Sequence, residues 1–300
     1  MICVEEELLK LTTDYVFKRV IGDPSDETAL MFIIQTISKI DVKNFEFLPQ
    51  EVPREDPDLK TVIYDIAARI NRPSAEEGDG TRVNLEMQQN FHKSLIDRMF
   101  YYGTKLITLK KGNDYHKLNK AIVITFVNDS HHFFPHPVSV YVQGEWKSNP
   151  NHILTDALVY YFIALNRIDE IAETEETKDL ILVLQFLTCK RREEMEALAQ
   201  KNENLKQASE TLIQISQDPN ERAIAISRDK FLWDQEARER GAREEGIEIG
   251  KEEGIKEGIK EGIEIGKEEG ILQTAKAMLV EGIPMETVCK ITGLRPEDLA

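Results

Sequence analysis

The chain has 300 residues, 41% of them apolar and 31% charged, with a formal net charge of −16. That length suits one large domain with appendages. The start lacks a long apolar segment and no run of about 18 apolar residues occurs, so neither a signal peptide nor a membrane span is expected. Cys3, Cys189 and Cys289 share no close spacing, which argues against a zinc or disulfide framework and for a reducing, cytoplasmic setting. The acidic balance has the wrong sign for nonspecific nucleic-acid affinity. From Phe91 to Lys120, however, Lys93, Arg98, Lys105, Lys110, Lys111, Lys117 and Lys120 face only Asp97 and Asp114, a local surplus of five positive charges. A solvated helix face is the competing explanation for that stretch.

The first helix is expected from Thr12-Thr13-Asp14, with Asp14 in the first turn, Val16, Phe17 and Val20 on its apolar side, and Gly22-Asp23-Pro24 ending it. A second, about 27–40, carries Leu30, Ile33, Ile34 and Ile37 at helical spacing. Residues 61–70 read as a strand, 71–80 as a long polar turn, and 82–88 as the return strand.

Centring the turn between Asn71 and Gly80 sets the register. Asp65 then faces Glu86, Ile66 faces Leu85, Tyr64 faces Met87 and Ala68 faces Val83. One face of the hairpin is apolar, and the other carries Asp65, Asn84, Glu86 and Gln88. A one-residue slip would mix the two. Directly opposed residues have Cβ atoms roughly 5 Å apart, close enough for one ion to bridge two carboxylates. The same register sets Arg69 against Arg82, so either the pairing frays there or an anion lies nearby.

A helix over 91–111 follows, with Phe91, Leu95, Met99, Tyr102, Leu106 and Leu109 as its buried stripe. Residues 121–127 and 138–142 read as strands. The run 158–165 is ambiguous and leans to strand on its Val, Tyr, Phe and Ile content. A helical pattern runs over 175–215, Asp218-Pro219-Asn220 interrupts it, and another helix leads into a repeat.

In that repeat, glycine recurs strictly every fourth residue from Gly246 to Gly270, with Ile247, Ile255, Ile259, Ile263 and Ile271 each just after one. Each glycine costs a helix roughly 0.8–1 kcal/mol relative to alanine, so a partner helix against the stripe is needed to hold it. The segment is either a self-association stalk or a flexible charged linker. Beyond Leu272 short helices punctuated by Gly282, Pro284 and Gly293 resemble a helix-turn-helix. Lys276, Lys290 and Arg295 against four acids favour a small cap or docking module over DNA reading.

Two acids and an amide on one sheet face suit Mg²⁺, which takes oxygen ligands and is often held by one or two carboxylates plus substrate phosphate. Asp65 and Glu86 are the candidate ligands, with Gln88 to orient water or contact phosphate, Asp14 as a third acid, and Lys18 one turn beyond it. The competing reading is the exposed polar face of a half-buried hairpin. His131, His132 and His136 cluster in a proline-containing stretch that reads as a surface loop. No nucleophile setting or phosphate-cradling glycine loop is present.

Thr13-Asp14-Tyr15-Val16-Phe17-Lys18, Tyr64-Asp65-Ile66, Leu85-Glu86-Met87-Gln88-Gln89 and Arg98-Met99-Phe100-Tyr101-Tyr102, in this order and spacing across about residues 10–190, resemble the PD-(D/E)XK nuclease superfamily. Within it the likeness is to the nuclease family transposases, related to the Rpn recombination-promoting nucleases. The resemblance implies an α/β restriction-endonuclease-like αβββαβ core and Mg²⁺-dependent DNA cleavage, with Mn²⁺ as the alternative ion. It implies Asp65 as the strand aspartate, Glu86 as the acid of the E-x-K triplet, and Asp14 as the helix-one acid. Two positions depart from the pattern: Gln88 stands where the superfamily has lysine, and Tyr64 where it has proline. Gln88 can orient or donate but cannot supply charge, so Arg98 or a lysine of the basic helix is the substitute to expect.

The expected organisation is a nuclease domain over 1–190, a helical extension over 191–240, a Gly/Ile/Glu/Lys repeat over 241–270 and a small helical module over 271–300. The expected function is a DNA endonuclease acting in recombination or transposition. Asp65 and Glu86 would hold metal, and Lys18, Lys93, Arg98, Tyr101 and Lys105 would contact DNA. A homo-oligomer through the repeat is expected. The alternative is a catalytically silent DNA-binding or scaffold protein that keeps the fold.

Overall fold

A computed structural model describes residues 7–53, 56, 58–71, 80–145, 149 and 151–299. The polar turn at 72–79 and Cys3 lie outside the described residues. The chain divides into two compact units, Met1–Asp229 and Lys230–Ala300. No helix is long and apolar enough to cross a membrane among the described residues.

The first unit is mixed α/β. It opens with helices α1 (Asp14–Ile21) and α2 (Thr28–Ser38), followed by strands β1 (Asn44–Phe47), β2 (Glu51–Val52), β3 (Val62–Ile63), β4 (Ile66–Asn71) and β5 (Thr81–Gln88). Helix α3 (Ser94–Leu106) leads to β6 (Ala121–Val127), β7 (Val138–Gly144) and β8 (Ile153–Ala164). Then come α4 (Lys178–Thr188), α5 (Arg192–Lys201) and α6 (Lys206–Gln217). Six strands form one sheet in the order β1-β4-β5-β6-β8-β7, with β5, β6 and β8 parallel and the outer pairs antiparallel.

The predicted register of β4 on β5 is the observed one: Ile66 pairs with Leu85, Ala68 with Val83 and Arg69 with Arg82. It holds because alternation along both strands buries Ile66, Val83, Leu85 and Met87 on one face, with Ile122, Ile124 and Phe126 from β6. Helices α1, α2 and α4 close that core. Phe17 of α1 meets Phe126 edge to face, with ring centroids 6.1 Å apart.

The other face, expected to be polar and open, is polar only in part, and it is covered. Helix α3 packs Leu95, Met99 and Leu106 against Tyr64, Val123, Val127, Leu158 and Phe162, which makes a second core. Asn84, Glu86 and Thr125 are buried beneath this layer. Helix α3 is shorter than predicted at both ends. The 175–215 pattern is three helices, and 158–165 belongs to a longer strand. Strands β1 and β2 add to the predicted elements.

The predicted 61–70 strand is also broken, because β3 pairs with β2 in a separate ribbon and β4 begins only at Ile66. Between them Tyr64 N–H donates to the Gln50 carbonyl at 2.9 Å. The Gln50 side-chain amide returns a bond to the Asp65 carbonyl at 3.0 Å.

Helix α7 (Pro219–Val280) begins where the sequence places a break. Asp218 caps it by accepting from Asn220 N–H at 2.7 Å, and Pro219 sits where no intrahelical donor is needed. Glu221 takes the Tyr15 hydroxyl and the Arg19 guanidinium of α1.

Within the second unit α7 carries the period-four glycines. A Cβ added at any of them from Gly246 to Gly270 would meet nothing within 4 Å, and Ile247, Ile255, Ile259 and Ile263 are exposed. Helix α8 (Met285–Thr292) folds back after Gly282, whose φ of 85° only glycine takes easily, and Ala275, Val288 and Leu299 form a small core.

Candidate active site

Asp65 lies at the point where the ladder between β4 and β5 gives out. Its Oδ2 accepts the Met87 backbone N–H at 2.9 Å, while its own backbone N–H donates to Glu86 Oε1 at 3.2 Å. Each carboxylate thus takes a place that a main-chain carbonyl would fill in a continued strand. This reciprocal arrangement breaks the predicted long strand and fixes the two acids together. Asn84 Nδ2 donates to Glu86 Oε1 at 3.0 Å, and Gln88 Nε2 lies 3.4 Å from Glu86 Oε2.

Helix α1 brings the positive charge. Gly22 at its end touches the sheet so closely that an added Cβ would stand 2.7 Å from the Lys18 carbonyl oxygen and 3.2 Å from Ile66 Cγ1. That approach sets Lys18 beside the start of β4. Lys18 Nζ lies 2.6 Å from Asp14 Oδ1 and 2.8 Å from Asp65 Oδ1. Asp14, expected as a third acid, is therefore joined to Asp65 through an ammonium rather than directly. Among the described residues no three His, Cys, Asp or Glu side chains converge as a metal cluster.

Burial governs the ionisation of the pair. Asp65 is 7% and Glu86 2% exposed. Burial pushes Asp65 up to about 6, with Lys18 opposing and Asp14 adding to the rise. Burial, then the charge of Asp65, pushes Glu86 up to about 8, while Asn84, the Asp65 amide and Arg98 favour its ionised form. For Lys18, burial acts downward, but Asp65 and Asp14 outweigh it and raise the ammonium.

These residues fit a hard divalent cation. Two desolvated carboxylates with raised pKa values need a positive partner to ionise together, and Asn84 Oδ1 and Thr125 Oγ1 are buried nearby on the same sheet face without hydrogen-bond partners among the described residues.

The other predicted contacts scatter. Arg98 of α3 lies near enough to Glu86 to favour its ionised form, and its Nε and Nη2 are buried without hydrogen-bond partners among the described residues, its guanidinium carbon 6.0 Å from the Tyr102 ring centroid. Lys93 is exposed at the start of α3. Tyr101 donates to the Lys60 carbonyl at 3.3 Å, and Lys105 Nζ stands 5.8 Å from its ring. His131, His132 and His136 are exposed. Sequence reasoning misses Thr125, which only the parallel pairing of β5 with β6 brings opposite Glu86. It also misses Gln50, whose role depends on the strand break.

The raised pKa values carry a stability prediction. The folded protein holds these protons more tightly than the unfolded chain does. The contribution is therefore complete below the ordinary carboxylate range and is lost as pH climbs through about 6 and about 8. In EDTA the melting temperature should fall between pH 5 and pH 9, and Glu86→Gln should flatten that slope. A wild-type profile parallel to the variant's would remove Glu86 as its source.

No curated protein and no solved structure gives a match to this chain. The acid-bearing strands, the helix that reaches them and the sheet around them all fall within residues 11–242, which match the family model described as PD-(D/E)XK nuclease family transposase, and the chain belongs to that family.

Proposed function

We propose that the protein is a metal-dependent DNA endonuclease that hydrolyses phosphodiester bonds, acting in recombination or transposition. The observation that carries this reading is the reciprocal Asp65–Glu86 pair, buried, backbone-bonded and raised in pKa at the end of the sheet. Buried acids with perturbed ionisation concentrate at functional sites.

Asp65 and Glu86 would hold the ion, Mg²⁺ or Mn²⁺. When bound, it would make a nearby water more acidic and offset charge on the phosphate. Gln88 would orient the attacking water. Lys18, held at 2.8 Å from Asp65, brings the charge that Gln88 lacks. In the reaction the water would lose a proton to solvent as its oxygen bonds to phosphorus, the bond to the leaving sugar oxygen would break, and that oxygen would take up a proton from solvent. Lys93, Arg98, Tyr101 and Lys105 would serve the DNA backbone.

A second reading, a catalytically silent DNA-binding or assembly protein, draws on Gln88 and on the ammonium already bridging Asp14 and Asp65. Thermal melting with added Mn²⁺ separates the two. The nuclease reading expects stabilisation that vanishes in both Asp65→Asn and Glu86→Gln. Stabilisation absent from the wild type, with no plasmid nicking, favours the silent protein.

The repeat is proposed as a homo-oligomer contact and 271–300 as its small helical module. Among the described residues a Cβ added at these glycines would meet nothing within 4 Å and the isoleucines beside them are exposed, and close helix packing would offset the cost of seven glycines. Sedimentation should show the full chain as an oligomer and a chain ending at Gly241 as a monomer. An unchanged association state would overturn the role. A cytoplasmic location accompanies this reading.

A further inference from the structure

A pocket of about 150 Å³ lies at the other end of β5, lined by Arg69, Arg82, Lys110, Asn113, Lys117 and Asn119 among others. Arg82 and Glu86 alternate onto one sheet face, four residues or roughly 13 Å apart along the strand, so the pocket is separate from the acid pair.

Its charge is unbalanced. Arg69 and Arg82 are directly opposed across β4 and β5, an arrangement that like charges disfavour. Glu46, opposite Arg69 on β1, takes one of its guanidinium nitrogens at 2.9 Å. Among the described residues Arg82, Lys110 and Lys117 have no carboxylate within 4.0 Å. Burial, then Arg69, pushes the half-buried Arg82 guanidinium downward, with Tyr64 and Glu46 opposing more weakly.

The lysines arrive on a loop that is pinned in place. Buried Asn119 accepts from Thr108 Oγ1 at 3.1 Å and donates to the carbonyls of Leu106 at 3.2 Å and Lys120 at 3.0 Å. Two guanidiniums, two ammoniums and the side-chain amide of Asn113 around a small cavity match an oxyanion with several acceptors. The volume falls short of the ~300 Å³ at which pockets for drug-sized ligands begin.

We propose that this pocket is a phosphate-binding site, taking a single phosphoryl or diphosphoryl group. The group comes either from a polynucleotide backbone or from a small phosphate compound. The proposal stands on the pocket alone and does not depend on nuclease activity.

The test uses the full chain in EDTA at low salt, so that cleavage plays no part. Calorimetric titration with inorganic pyrophosphate and fluorescence anisotropy with a labelled oligonucleotide are run on the wild type, Arg82→Gln, Arg82→Lys, Lys117→Gln and, as a distant control, Lys201→Gln. Arg82→Gln relieves a like-charge contact and should fold, which circular dichroism checks.

Saturable pyrophosphate binding, weakened at least tenfold by Arg82→Gln and Lys117→Gln, less by Arg82→Lys and not by Lys201→Gln, is the expected result. Parallel loss of oligonucleotide binding, with competition by pyrophosphate, identifies the source as a nucleic-acid backbone. Loss confined to pyrophosphate identifies a small phosphate. Segment 72–79, outside the described residues, carries Glu76, Glu77 and Asp79. No saturable binding of either probe, as would follow if such carboxylates satisfied the arginines, overturns the proposal, as does binding indifferent to Arg82 and Lys117.

Discussion

Plasmid nicking in Mg²⁺ should fall on the order of 10²–10³-fold or more in Asp65→Asn, and again in Glu86→Gln, the scale of losing one preorganised electrostatic group. Both changes preserve shape. The amide of Asp65→Asn would still offer an oxygen to the Met87 N–H, and that of Glu86→Gln one to the backbone N–H at position 65, so the ladder end at 2.9 and 3.2 Å is kept. What goes is the negative charge that holds a cation. Because burial disfavours the ionised carboxylate, Glu86→Gln should melt at or above the wild-type temperature in EDTA, whereas Asp65→Asn also loses the ion pair to Lys18 at 2.8 Å, so its folding is checked by circular dichroism. Activity loss then cannot be blamed on unfolding. Equal nicking by wild type and both variants would exclude this pair as the site.

The largest stability loss is expected at Phe126. Its side chain is fully buried on β6, and its register neighbours are Met87 on β5 and Ile163 on β8. Phe17 of α1 meets it edge to face. Truncation to alanine removes the ring's burial and leaves a cavity, together about 3–5 kcal/mol. Phe17 adjoins Lys18, so the same cavity would loosen the helix that carries the ammonium to Asp65. Denaturant unfolding should place Phe126→Ala that far below the wild type, while Phe133→Ala, half exposed, should lose far less. A loss under about 1 kcal/mol would contradict the packing around β6.

The register of β4 on β5 is legible in the sequence because centring the turn between Asn71 and Gly80 sets Ile66 against Leu85 and Ala68 against Val83, and alternation excludes a one-residue slip. The end of that ladder is not legible. Periodicity describes where side chains point and cannot show a carboxylate standing in for a main-chain carbonyl, which is what Asp65 does. The same blindness hides the strand break and with it the short β2–β3 ribbon. Phe45 and Phe47 do alternate, and they are the available signal for β1. Their consequence is that Glu46, opposite Arg69, places an anion on Arg69 but leaves Arg82 without a carboxylate within 4.0 Å among the described residues. The polar face of the hairpin is legible in composition but not in exposure, because nothing local says that α3 will cover it. The three helices within 178–217 merge in the sequence because neither break contains glycine or proline. Asp14 and Lys18 can be placed on one helix but not against the sheet, since their position depends on the close contact at Gly22.

The bond from Met87 N–H to Asp65 Oδ2 ties a main-chain proton to the state of the candidate centre. An amide proton shared with a carboxylate resonates at a frequency that follows the charge on that carboxylate. In a ¹⁵N-labelled sample the Met87 signal, with the Asp65 amide as its counterpart on Glu86, would therefore report protonation and cation entry directly. The molecule carries a spectroscopic gauge of its own centre, readable without substrate and without turnover.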